Sequence, residues 1–257
     1  MIKVALCGCG KMGSQVAEHI SSDKETELMY IFDPVKKGTM FCGVTILDPS
    51  ELKGKIKEVD VVADFTNPES SLKTCEIAVE AGKRVVIGTT GHSEEQKEEI
   101  RKMSEKTAII LSPNMSVGVN VFFKIACELA SYLKDYDIEL IEAHHRYKKD
   151  SPSGTAVKLA NLVADEIGVN IEEVAKYGRP KGMTGPRTDR EIGIHAIRAG
   201  DIVGEHTLLL ASNNEKIELK HTAQSRGCLA SGTVKAIKFV DAKKEGLYDM
   251  WDVIGLK

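Results

Sequence analysis

The segment IKVALC at residues 2–7 is apolar except for Lys3, the pattern of a strand covered on both faces in a parallel sheet. Comparable runs lie at 28–32, 59–65 (VDVVADF), 84–88 (RVVIG) and 108–111 (AIIL). Between them, 11–20, 69–81 and 93–106 carry the three-to-four-residue spacing of helices. Strands alternating with helices predict a parallel, doubly wound sheet. The pattern changes after about residue 116. A long apolar helix, VGVNVFFKIACELASYL, leads to a strand near 137–143 and to a second helix starting near Ser153. Residues 191–223 then read as EIGIHAIRA, IVGEHTLLLA and KIELKHTA, separated by Gly-Asp and Asn-Asn turns. Short β-rich runs with two-residue turns predict an antiparallel meander, hence a second domain of α+β type with a largely antiparallel sheet. The segment LASGTVKAIKFV is helical again. The expected organisation is a first domain over 1–116, with 228–257 packing back on it, and a second over 117–227.

Composition narrows the function. A chain of 257 residues with 42% hydrophobic and 28% charged positions can bury a sizeable core. A net charge of -3 argues against general binding to nucleic acid or a membrane surface. No apolar run reaches membrane-span length, and MIKVALCGCG enters a strand pattern with no signal-peptide layout. Six scattered cysteines without a C-x-x-C pair suggest reduced thiols in the cytoplasm. Cys7 and Cys9 sit in a glycine turn with no further ligands nearby, so no metal site is expected.

That turn is Gly8-Cys9-Gly10-Lys11-Met12-Gly13, a G-x-G-x-x-G following a strand and opening a helix. Asp33 closes the next strand 20 residues after Gly13 (33 − 13), the spacing of a ribose-binding acid. Gly8 permits the tight turn, Gly10 lets backbone amides approach a pyrophosphate, and Gly13 lets helix and strand pack closely. The helix N-terminus stabilises the negative charge. The first domain is therefore read as Rossmann-type and dinucleotide-binding. Asp33 would repel a 2′-phosphate and favour NADH. Lys36 and Lys37 are either solvated loop lysines or an offset to that repulsion, which leaves NADPH open. Gly88-Thr89-Thr90 and Ser112-Pro113-Asn114-Met115 each follow a strand and belong at the carboxyl edge, where such sheets place ligands.

The stretch EAHHRYKKDSPSGTA (142–156) sets two histidines, an arginine and two lysines ahead of a helix start. Ser153 is a favoured N-cap type, and the amides of Gly154 and Thr155 would face outward as a carboxylate or phosphate site. Histidine suits acid/base work near neutrality, and a lysine among cations can deliver a proton. If extended, His144 and Lys148 would lie about 13 Å apart at ~3.3 Å per residue. One substrate therefore demands a bend after His145. Histidines 195, 206 and 221 read as mostly structural, and Arg146, Lys149, Arg187 and Arg226 have no assigned role.

These residues resemble the dihydrodipicolinate reductase family. The similarity continues in GMTGPR (182–187), IGIHAIRAGDIVGEHTL (192–208), HTAQSR (221–226) and GLYDMWDVIGL (246–256), and covers nearly the whole chain. It implies NADH- or NADPH-dependent reduction of a cyclic dicarboxylate in lysine and diaminopimelate synthesis, by a homotetramer joined through the second domain's sheets. By position, His144 matches the family's proton donor/acceptor and Lys148 its proton donor. His145, Ser153, Gly154 and Thr155 match residues that bind the dicarboxylate. Gly8–Gly13, Asp33, Gly88–Thr90 and Ser112–Met115 match nucleotide positions. The chain departs from the family in a glycine turn one residue shorter and in Tyr147, where histidine is frequent. Two other readings are an aspartate or diaminopimelate dehydrogenase on a similar scaffold, and an NAD(H)-sensing protein without turnover.

Overall fold

A computed structural model describes residues 1–257, which form two compact units, Met1–Val117 with Arg226–Lys257, and Gly118–Ser225. The chain begins β1 (Ile2–Cys7), α1 (Lys11–Ser22), β2 (Thr26–Phe32), β3 (Met40–Phe41), β4 (Val44–Leu47), α2 (Leu52–Lys55). It continues β5 (Val61–Asp64), α3 (Pro68–Glu80), β6 (Arg84–Ile87), α4 (Glu94–Met103), β7 (Ala108–Leu111). Next come α5 (Val117–Tyr132), β8 (Asp137–His144), α6 (Gly154–Ile167), α7 (Ile171–Val174), β9 (Ala175–Tyr177). The order closes with β10 (Ile192–Arg198), β11 (Gly204–Ala211), β12 (Lys216–Ala223), α8 (Gly227–Asp241), β13 (Gly246–Tyr248), α9 (Met250–Val253).

The first unit holds an eight-stranded sheet ordered β13-β7-β6-β5-β1-β2-β4-β3, parallel throughout except for the short β3–β4 hairpin. Strand order reverses direction at β1, between β2 and β5, which is where open α/β sheets place a ligand crevice. Both faces are covered. Val4, Leu6, Val61 and Ile110 pack with α1 and α8, while Ala5, Val62, Val85 and Ile109 pack with α3 and α4. This two-sided burial is why these strands read as continuous apolar runs rather than alternations. Edge strands β3 and β13 are too short to leave such a signal, and neither is evident in the sequence.

The second unit holds a five-stranded sheet ordered β12-β11-β8-β10-β9. Antiparallel ladders join β12, β11 and β8. The meander expected over 191–223 needs correction, because β10 does not pair with β11. It lies parallel to β8, with Ile194 opposite Leu140. Helices α6 and α7 lead from β8 to edge strand β9, a strand–helix–strand crossover that leaves β9 parallel to β8, and β10 then inserts between them parallel to both. The chain around Gly200 then passes the end of β8, with the Ala199 amide donating to the His144 carbonyl and the Arg146 amide to the Gly200 carbonyl. A Gly-Asp turn therefore bridges a gap one strand wide. No helix is long and apolar enough to cross a membrane.

Candidate active site

In the first unit, three loops leave the carboxyl ends of neighbouring strands and pack on one another. Gly8 follows β1 with φ +89°, and a Cβ there would sit 2.4 Å from the Phe65 carbonyl oxygen. A Cβ on Gly88, after β6, would lie 2.2 Å from the Phe65 ring. The absence of both side chains lets Phe65 seat between the loops. A cavity of about 490 Å³ opens beside them, lined among others by Gly8, Gly10, Asp33, Thr66, Asn67 and Ser70. Gly10 caps α1 with no side-chain hydrogen bond, and its Cα faces open space. Uncapped helix amides over an open cavity fit a pyrophosphate.

Asp33 is buried beneath this turn. One carboxylate oxygen accepts from the Cys9 amide at 2.8 Å, and the other from the Val35 and Lys36 amides at 2.9 and 3.0 Å. Burial pushes its pKa up, but these amide donors and the nearby Lys36 outweigh that and leave it below the usual carboxylate range. The Lys36 ammonium donates to the Cys9 carbonyl at 2.5 Å, and Lys37 pairs with Asp48 at 2.7 Å. Several other candidate nucleotide residues turn their side chains inward. Cys9 and Met115 belong to the core. Ser112 bonds to the Asn114 carbonyl at 3.0 Å, and Asn114 accepts from the Ser116 amide at 2.9 Å. The Thr89 hydroxyl accepts from the Thr66 amide at 2.8 Å and donates to buried Asp64. At these positions the groups available to a ligand are mainly backbone. Lys11, Thr90 and Pro113 are exposed, and Met12 is half-buried.

The second unit assembles a different kind of site. Strand alternation puts Glu142 and His144 on the same face of β8. One Glu142 oxygen lies 2.6 Å from His144 Nδ1, and the other accepts from the Ser153 amide at 3.0 Å. Arg198 on β10 donates to both oxygens at 2.8 Å, a bidentate pair. Burial pushes the Glu142 carboxyl up, but Arg198, His144 and the Ser153 amide together hold it below its ordinary value. Ser153 caps α6 by accepting from the Ala156 amide at 3.2 Å, and its hydroxyl lies 3.0 Å from His206 Nε2. The His144 and His206 rings meet edge to face at 5.3 Å.

Both histidines are held neutral near pH 7. Burial lowers His144, only partly offset by Glu142. Burial, with His144 beside it, pushes His206 down to about 4. After His145 the chain bends, the Lys148 amide donating to the His145 carbonyl at 3.1 Å. Lys148 is not surrounded only by cations, because its ammonium pairs with Asp150 at 2.9 Å. His145 is half-buried beside Tyr147. Gly154 and Thr155 form the first turn of α6, at the positive end of its dipole. Neutral imidazole, ammonium and helix start together suit acid/base chemistry on an anionic substrate.

Residues 2–115 match the family model described as dihydrodipicolinate reductase, N-terminus, and residues 118–254 that described as dihydrodipicolinate reductase, C-terminus. The chain belongs to the dihydrodipicolinate reductase family. The 4-hydroxy-tetrahydrodipicolinate reductase of Methanothermobacter thermautotrophicus is 41% identical over 273 aligned positions, covering all of both chains. A solved structure, dipicolinate-bound dihydrodipicolinate reductase from Paenisporosarcina sp. TG-14, superposes with a TM-score of 0.80 at 28% identity over 99% of each chain. The C. glutamicum DAP dehydrogenase in complex with DAP has a TM-score of 0.58 at 13% identity, over 97% of this chain and 92% of that one. At that identity only the fold is shared.

In this member of the family, sequence reasoning passed over two groups that the structure places at the sites. Phe65, Thr66 and Asn67 line the first unit's cavity and Asn67 caps α3. An Asn-Pro step at a strand end is a helix-start signal that could have marked this loop. Glu142, Arg198 and His206 come from three strands, and only the period-2 relation of Glu142 to His144 was readable beforehand.

Proposed function

We propose that this member of the family reduces 4-hydroxy-tetrahydrodipicolinate to tetrahydrodipicolinate, in lysine and diaminopimelate synthesis, at the expense of NADH or NADPH. The observation that carries this reading is the Glu142–His144–Ser153 cluster beside Lys148, acid/base groups built onto an anion-binding helix start. The 4-hydroxyl leaves as water before or together with reduction, and the cofactor supplies a hydride to the unsaturated ring, so that hydride and proton enter as water departs. Gly8 to Gly13 bind its pyrophosphate through backbone amides, Asp33 its adenosine ribose, and the loops 88–90 and 112–115 the nicotinamide end. Asp33 stays anionic, while Lys36 and Lys37 are engaged elsewhere, which supports a preference for NADH.

In the second unit, the Gly154 and Thr155 amides, Ser153 and His145 hold the substrate carboxylates. Lys148 donates the proton that the enamine-like carbanion takes at C3, and His144, neutral at rest, is its acid/base partner. The cations and the helix amides stabilise the developing negative charge. Ile141, Ile197 and Leu209 lie on the same face of β8, β10 and β11, turned away from buried Leu140 and Leu208, and remain partly exposed. That partly exposed face, which also carries Glu139, His195 and Thr207, is the one through which a homotetramer would join. Six cysteines without a disulfide suit the reducing cytoplasm.

The test is a coupled assay with freshly generated cyclic substrate, run with NADH and NADPH in parallel. Lys148→Ala should lower kcat at least 100-fold with dinucleotide Kd unchanged. Turnover that survives Lys148→Ala combined with His144→Ala would refute the mechanism. Product formation from aspartate or diaminopimelate instead would favour a related dehydrogenase.

A further inference from the structure

The Glu142 carboxylate is 1% exposed and has all four of its acceptor positions engaged, by His144 Nδ1, the Ser153 amide and two Arg198 nitrogens. We infer that Glu142, clamped by Arg198, is the positioning residue of the proton-transfer step, locking His144 as the tautomer with a bare Nε2 and tying that ring to the Ser153 helix start. The inference rests on the role proposed above for His144 and deepens it.

An ionised carboxylate only accepts, so His144 Nδ1 facing Glu142 must carry the proton, and Nε2 is left with its lone pair. Gly204 on β11 faces Nε2, and a Cβ there would lie 3.1 Å from it. The other oxygen of the same carboxylate holds the Ser153 amide, which fixes where α6 begins and therefore where its first amides point. Arg198 also donates to the Asp150 carbonyl at 2.8 Å, so the loop that carries Lys148 is anchored to the same pair. The charged and titratable groups around His144 are Glu142, Arg198, Lys148 and His206. Among them only Glu142 offers the ring an anionic partner. One buried ion pair thus couples proton handling to carboxylate capture.

Two arms test this. The first needs neither substrate nor variant activity: nitrogen-15 NMR of the histidine rings in the substrate-free wild-type chain, with His144 assigned by difference from His144→Asn. A protonated Nδ1 and bare Nε2 at pH 8 are expected, and the opposite tautomer overturns the inference. The second compares Glu142→Gln with wild type in the coupled assay. An amide cannot accept from His144, Ser153 and Arg198 together, so kcat should fall about 100-fold and the dicarboxylate KM should rise severalfold. Dinucleotide Kd should be unchanged, and the acid limb of the kcat profile should move to lower pH as His144 loses its anionic partner. A merely structural role would lower the yield of folded enzyme and leave KM and the profile of the folded fraction unmoved, which would also overturn the inference. If wild type fails to turn over the cyclic substrate, the proposed function falls, while the tautomer measurement still decides this point.

Discussion

His206 offers a direct test of how the buried histidines of the second unit are maintained. Its imidazole is 5% exposed, packed against His144 and within 3.0 Å of the Ser153 hydroxyl. Burial, then the neighbouring His144, drives its pKa from the ordinary 6.5 to about 4, with smaller contributions from His221, Lys148 and an opposing one from Glu142. The sign follows from linkage. The unfolded chain takes up a proton near 6.5 that the folded chain refuses until about 4, so stability is complete above 6.5 and is lost as pH falls through this window. The full gap corresponds to roughly 3 kcal/mol, and between pH 7 and pH 5 about 2 kcal/mol should disappear through this one group. His92, His144 and His221 are also lowered, chiefly by burial, so the wild-type slope will be steeper than one group explains. The difference between wild type and His206→Gln isolates the term. Glutamine removes the titration and retains a polar partner for Ser153, so the variant should be less stable at pH 7 and recover about 2 kcal/mol relative to wild type by pH 5. The measurement is urea unfolding at several pH values, followed by amide exchange in β11 and β12. Trp251, the sole tryptophan, lies in the other unit and would not report on it. A stability difference that does not change with pH would refute the assignment of a neutral, proton-refusing His206.

Two further outcomes concern the first unit. Gly88→Ala forces a Cβ to within 2.2 Å of the Phe65 ring, so dinucleotide affinity by calorimetry should fall at least tenfold, with stability down by about 1–3 kcal/mol; unchanged affinity would remove Phe65 packing from the account of the site. Asp33→Asn removes the anion but keeps most of the shape, so the ratio of NADPH to NADH affinity should rise, and a ratio that stays constant would show that Asp33 does not set the preference.

Much of the first unit was legible from sequence because its physics is local. A parallel strand buried on both faces must be apolar along its length, and the glycine turn and Asp33 are fixed distances apart on one β–α–β unit. The same locality explains Ser153, whose N-cap role follows from residue type and position. The bend after His145 was also foreseeable, since an extended chain would have separated His144 from Lys148.

What escaped was set by which strands lie side by side. Turn composition around Gly200 does not disclose that β8 occupies the space between β10 and β11, yet that order brings Arg198 and His206 to opposite sides of Glu142 and His144. Similarly, Thr89 and Asp64 read as unrelated residues until β5 and β6 pair and join them beneath the loop of Thr66. The sequence alone therefore disclosed the fold class, the glycine turn and the candidate acid/base residues, because each rests on interactions between residues close along the chain. Only the tertiary structure decided that Arg198 clamps the carboxylate holding His144 and Ser153, because that ion pair joins residues 56 apart and exists only once two strands have docked.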